Sequence, residues 1–157
     1  VGGDSAGGGL AAALCLAATQ AGDPAAGAIL ISPMLDLTAS DPTYADNAAC
    51  DTLFSRGTVL DAAGLYLQGH DVSDPLVSPL FADPVQFSRA LVLVGGKEVL
   101  LGEVLAFSRK LALAGRDVTL HVAGGMGHVW PMMSPDTAEA AEALDMIAGF
   151  VAAIQHG

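Results

Sequence analysis

The order of apolar runs and amphipathic stretches predicts an α/β fold: a mostly parallel sheet with helices on both faces. Three observations carry that expectation. Short, unbroken apolar runs at residues 28–31 and 90–94 read as buried strands, and Val118-Thr119-Leu120-His121-Val122 reads as a third strand. Segments with helical periodicity separate them, and glycine-rich breaks such as Gly95-Gly96 and Gly124-Gly125 stand at their ends. Strand and helix alternate, which is the signature of a sheet covered on both sides. In such sheets chemistry gathers at the carboxyl ends of the strands.

Taken in order, residues 7–20 read as a helix with Leu10, Leu14 and Ala17 on its apolar face and Gly22 beyond its end. Residues 36–57 are irregular and polar, with at most short helical turns. Thr58 is placed to cap a helix reaching Leu67. Residues 69–88, rich in Asp, Pro and Ser, form a surface connection. The helix after Gly96 puts Val104, Leu105, Ser108, Leu111 and Ala112 on one face and stops at Gly115. The last helix is expected to start with Ser134 as cap and Pro135 as first residue, with Leu144, Ile147, Val151 and Ile154 as its stripe.

At 157 residues and 52% hydrophobic content, the chain can form one domain with one core. A formal charge of −11, from six basic and 17 acidic residues, leaves no basic patch for nucleic acid. No apolar run reaches the roughly 18 residues of a membrane span. Nothing at the N-terminus reads as a secretory leader, which says little about location; the expected compartment is cytoplasmic. Two cysteines make neither a disulfide framework nor a metal site. Cys15 is expected buried and reduced, and Cys50 is uninformative.

Gly3-Asp4-Ser5-Ala6-Gly7 matches G-x-S-x-G. The motif needs a sharp strand-to-helix turn that raises the serine Oγ above the sheet, and a side chain at either glycine is expected to collide there. Ser5 is the candidate nucleophile, and the Ala6 N–H at the helix head is a candidate oxyanion donor. Of the four histidines, His128 follows the last strand on a glycine-rich loop, where chain order puts the base. His121 lies within a strand, His70 in a polar connection and His156 at the C-terminus. The acid must lie between serine and histidine and follow a strand. Glu98 satisfies both conditions; Glu103 is the competitor, whose bland reading is a helix-terminal carboxylate in solvent.

Gly3-Asp4-Ser5-Ala6-Gly7-Gly8 resembles the elbow of the hormone-sensitive-lipase family of bacterial esterases, also called family IV. Ser78-Pro79-Leu80-Phe81-Ala82-Asp83 resembles the segment before that family's penultimate core strand. Gly96-Lys97-Glu98-Val99-Leu100-Leu101 resembles its acid loop, and Gly127-His128-Val129-Trp130 its histidine loop, with Val129 in place of the usual Gly. Lys97 and Gly102 stand where the acid loop often carries further acidic residues. The resemblance implies the C-terminal part of an α/β-hydrolase fold over residues 1–157. It implies a catalytic domain without its upstream cap, first strands and oxyanion loop. It further implies hydrolysis of carboxylic esters, short-chain acyl esters best, by Ser5, His128 and Glu98, with no cofactor and no metal. The expected partner is a small-molecule ester, together with the N-terminal half of the same fold; open sheet edges invite association, including homo-oligomers. The competing expectation is a catalytically incompetent fragment or binding remnant.

Overall fold

A computed structural model describes residues 1–155. Four parallel strands lie side by side in sequence order: β1 (Gly2–Asp4), β2 (Ala28–Ile31), β3 (Ala90–Gly95) and β4 (Val118–Ala123). Registers run Ile31 to Leu93 and Leu93 to His121, so the strand ends line up at one edge of the sheet. The expected α/β architecture is present, and β1 is added to the three strands read from the sequence.

Side chains alternate across the strands. Leu30, Val92 and Val94 meet helices α1 (Ser5–Gln20) and α4 (Leu101–Leu113) through Leu16, Val104, Phe107 and Leu111. Ile29, Ile31, Leu91 and Leu93 face the other way, onto Trp130 of α5 (Trp130–Met133) and Ala140 and Ala143 of α6 (Ala138–Gln155). A smaller apolar cluster lies under the long β2–β3 connection. There α2 (Thr43–Asp46) and α3 (Arg56–Leu67) contribute Tyr44, Val59 and Ala63 against Val99 and Leu100.

The helices form where periodicity places them, but several bury a different face. In α1, Leu10 and Leu14 are exposed, whereas Gly8, Gly9, Ala11, Ala12, Cys15 and Leu16 are buried. The reason is approach distance. A Cβ at Gly9 would stand 2.2 Å from the Met34 carbonyl oxygen, so small residues bring the helix onto the sheet and the large leucines are left outside. The same holds in α6, where Ala140 and Ala143 are buried while Leu144 and Val151 are exposed. In α4 the buried face is Glu103, Val104, Phe107, Ser108 and Leu111, and Leu105 and Ala112 turn outward.

Two helix starts also differ. Ser55, not Thr58, caps α3, and Thr58 answers it from the third position, making a reciprocal capping box. Helix α6 starts three residues after Pro135, where the Thr137 hydroxyl accepts from Ala140 N; Ser134 instead ends α5. Cys15 is buried and free, as expected, and Cys50 is exposed. His156 lies outside the described residues. Among those residues, no helix is long and apolar enough to cross a membrane.

The contrast between neighbouring glycines of α1 is testable. Gly9→Ala forces a clash with backbone and is predicted to destabilise the protein by about 1–3 kcal/mol. A Cβ at Gly7 meets nothing within 4 Å, so Gly7→Ala is predicted to stabilise by up to about 1 kcal/mol. Urea unfolding of the two variants beside wild type reads both signs.

Candidate active site

The elbow forms as its motif requires. Strand β1 ends at Asp4 in extended conformation, and Ser5, the first residue of α1, has φ of +52°. That left-handed backbone is costly for a side-chain-bearing residue and turns the serine out at the strand end. Gly3 is needed: a Cβ there would stand 2.2 Å from the Gly7 carbonyl oxygen. Gly7 is not needed for space, contrary to the expected collision at both glycines. Ala6 is exposed at the head of α1, where first-turn N–H groups lack helical partners.

Glu98 follows β3 and is wholly buried. Its Oε1 accepts from Gly95 N and from Ser32 Oγ (2.7 Å), and its Oε2 accepts from His128 Nδ1 at 2.8 Å. An ionised carboxylate only accepts, so His128 Nδ1 is the donor in this contact. Gly95 stands where both loops converge, since a Cβ there would meet the carbonyls of Met126 and Gly127 at 2.6 Å and Glu98 Oε1 at 2.9 Å. The His128 ring is nearly buried, and Phe54 packs edge-on against it with centroids 4.7 Å apart.

The structure thus brings Glu98 and His128 together. It does not hydrogen-bond His128 to Ser5: among the described residues Nε2 is buried and has no partner. The elbow and the pair are instead linked by the segment after β2. Met34 N donates to the Ser5 carbonyl (3.0 Å), and Ser32 Oγ accepts from Val129 N (3.0 Å). Beside Ala6 opens an apolar groove of about 170 Å³, lined by Gly9, Leu10, Met34, Ala63 and Tyr66 among others.

Glu103 is not the solvent-facing carboxylate its position at the start of a helix suggests. It is wholly buried, and its Oε1 accepts from Leu35 N (2.7 Å) and Asp36 N (3.3 Å), its Oε2 from Tyr44 Oη (2.9 Å). The β2–α2 connection folds over the head of α4 and closes it off from water. The signal was present: Glu103, Phe107 and Leu111 recur at four-residue spacing and share the buried stripe. Ser32 was also missed, although it stands directly after an apolar strand, where functional polar groups collect. His121 lies in β4 and His70 is exposed on the surface connection; neither approaches the Glu98–His128 pair through a hydrogen bond.

Against this geometry, a family model for the α/β hydrolase fold matches residues 1–132. The chain belongs to that family. It is 34% identical over 150 residues to an acetyl-hydrolase of Streptomyces hygroscopicus, covering 95% of this chain and 50% of that protein. It is 35% identical over 156 residues to an esterase of Acinetobacter venetianus, covering 98% and 52%. Among solved structures, it overlays EstE5 soaked with ethyl alcohol with a TM-score of 0.94 at 32% identity, covering 99% of this chain and 53% of that one. An esterase of the bacterial hormone-sensitive lipase family overlays with a TM-score of 0.88 at 37% identity, covering 95% and 50%. The resemblance drawn from the elbow, acid and histidine loops is therefore borne out at the level of family. The chain spans about half the length of the curated relatives it matches.

Burial pushes the Glu103 carboxyl up to about 8, against the pull of its backbone and Tyr44 donors. Burial, then the neighbouring Glu103 charge, raises the Tyr44 hydroxyl far above its ordinary value. Below the ordinary carboxylate range both folded and unfolded chains hold the Glu103 proton, and its contribution to stability is full. As pH rises from there to about 8, the unfolded chain ionises first and stability is lost, at up to about 1.4 kcal/mol per pH unit. Glu103→Gln keeps the shape without the titration. Its stability is predicted to change less than that of wild type between pH 5 and 8 in parallel urea unfolding curves.

Proposed function

We propose that this chain carries the catalytic triad of a serine esterase that cleaves carboxylic esters through an acyl-enzyme. The observation that carries the reading is the buried 2.8 Å contact of Glu98 Oε2 with His128 Nδ1, level with a left-handed serine at a helix head. Ser5 Oγ attacks the ester carbonyl and forms the tetrahedral intermediate. His128 Nε2 takes the Ser5 proton and passes it to the departing alcohol, and Glu98 holds the tautomer and supports the imidazolium. Water, activated by the same Nε2, then releases the acid and frees Ser5. Catalytic contacts of this kind commonly tighten only with substrate in place, which accommodates an Nε2 without a partner at rest.

Ala6 N–H supplies one oxyanion donor as charge develops on the carbonyl oxygen, and each such donor contributes roughly 10²–10³-fold in rate. The second donor is assigned to the part of the fold that the relatives carry beyond the matched half. The groove beside Ala6 is apolar and small, which suits a short acyl chain. The names of the relatives, esterase and acetyl-hydrolase, agree with that substrate class.

The test uses a fluorophosphonate probe and p-nitrophenyl esters on the full-length protein. Ser5 is predicted to be the labelled residue, with Ser5→Ala abolishing adduct and turnover. Glu98→Gln is predicted to lower kcat by up to about 10⁴-fold while the fold persists. Butyrate is predicted to be cleaved faster than palmitate. A protein that binds short esters but never labels at Ser5 would be a binding module and would sink the reading.

A further inference from the structure

We propose that Ser32 is a positioning residue of the triad, whose hydroxyl ties the acid to the histidine loop. The proposal rests on the esterase reading for its kinetic consequence, but its geometry stands apart from it. Ser32 follows β2, has no exposed surface and adopts a φ of +46°. Its Oγ donates to Glu98 Oε1 at 2.7 Å and accepts from Val129 N at 3.0 Å. The two partners lie 66 and 97 residues away in sequence. A buried serine that only needs satisfying can turn to a carbonyl of its own helix, as Ser108 does toward Val104 O at 2.9 Å. Ser32 instead bonds to two loops far from it in sequence, adding a side-chain tie beside the backbone bond of Lys97 N to Met126 O.

The backbone around it is arranged for that bridge. Ser32 N continues the β2–β3 ladder to Leu93 O at 2.7 Å, which fixes its Cα against the strand preceding Glu98. The left-handed turn directs the hydroxyl to the acid rather than along the sheet. Val129, the residue after His128, is also left-handed at +51°, an unfavourable state for a β-branched residue. Its N–H is held in that state by the Ser32 oxygen. Two residues on, Met34 N holds the Ser5 carbonyl. The tripeptide Ser32-Pro33-Met34 therefore touches the nucleophile, acid and histidine loops, its serine through side-chain hydrogen bonds.

The hydroxyl accomplishes two things. With Gly95 N it saturates Oε1, leaving Oε2 as the oxygen offered to His128. Through Val129 N it sets where the imidazole leaves the backbone. Loss of the hydroxyl frees the carboxylate to rotate and lets the left-handed residue relax, so Nε2 is misplaced, whereas none of Ser32, Glu98 and His128 lines the substrate groove.

The experiment compares Ser32→Ala, Ser32→Gly and Ser32→Cys with Ser78→Ala in the full-length protein. Ser78 is an equally buried serine whose Oγ accepts from Leu37 N, away from the triad, and it reports the general effect of losing a buried hydroxyl. Ser32→Gly relieves the left-handed backbone and so keeps the hydroxyl's effect separate from folding. The Ser32→Ala and Ser32→Gly variants are expected to lower kcat by roughly 10–100-fold at unchanged KM, the scale of one lost hydrogen bond to a charged group. Ser32→Cys, a weaker donor of similar shape, is expected to fall between them and wild type, and Ser78→Ala to leave kcat unchanged. Independently of turnover, the low-field NMR signal of the His128 Nδ1 proton, assigned by its loss in His128→Ala, is expected to shift or broaden in the Ser32 variants only. An unmoved Nδ1 signal in folded Ser32→Gly, or a kcat equal to that of Ser78→Ala, overturns the proposal. A wild type with that signal coupled to Ser32 but without Ser5-dependent hydrolysis would overturn the esterase reading and leave the bridge standing.

Discussion

A carboxylate with no contact to water must have its oxygens satisfied by the protein, because an unpaired buried charge costs several kcal/mol. Glu98 meets that demand with donors from three places: Gly95 at the end of β3, Ser32 after β2, and His128 after β4. None of the three is adjacent to another in the chain. Burying this one group therefore fixes how the carboxyl ends of three parallel strands converge, and the in-register pairing of Ile31, Leu93 and His121 delivers them at one level. The Phe54 ring closes the arrangement from the β2–β3 connection and keeps the imidazole out of bulk water.

A second buried carboxylate, five residues on, has a different set of partners. Glu98 faces backbone, a hydroxyl and a ring nitrogen. Glu103 faces two backbone N–H groups and a phenol, none of which brings a compensating positive charge, so burial dominates and raises its carboxyl above the ordinary carboxylate range. Its work is to seat Leu35, Asp36 and Tyr44 over α4, which in turn holds the segment bearing Ser32 and Met34 in place.

How much of this could be read from the sequence depends on which property decided it. The strands were legible because a buried parallel strand must be apolar along its whole length, as in 28–31 and 90–94. Ser5, Glu98 and His128 were legible as candidates because their order and their places after strands follow from the topology. The buried faces of α1 and α6 were not, because Gly8, Gly9, Ala140 and Ala143 are inside for their size, and hydrophobic weight points to Leu10, Leu14 and Leu144, which face outward. The burial of Glu103 had a signal in its spacing with Phe107 and Leu111, but the partners of Glu103 and Ser32 were illegible, because they stand on other loops and no local pattern encodes who folds over whom.

The strictly sequential order of the sheet also has a bearing on synthesis. A chain that lays down β1, β2, β3 and β4 side by side can add each strand to a finished neighbour, so no strand has to be threaded between two others. Ser5 leaves the ribosome near the beginning of this stretch and His128 close to its end. During translation the hydroxyl is thus exposed for more than a hundred residues without its proposed base, an ordinary alcohol with no means of losing its proton. Under the proposed mechanism, reactivity arrives only when the last strand docks, and a nascent chain does not acylate itself on whatever esters it meets on the way.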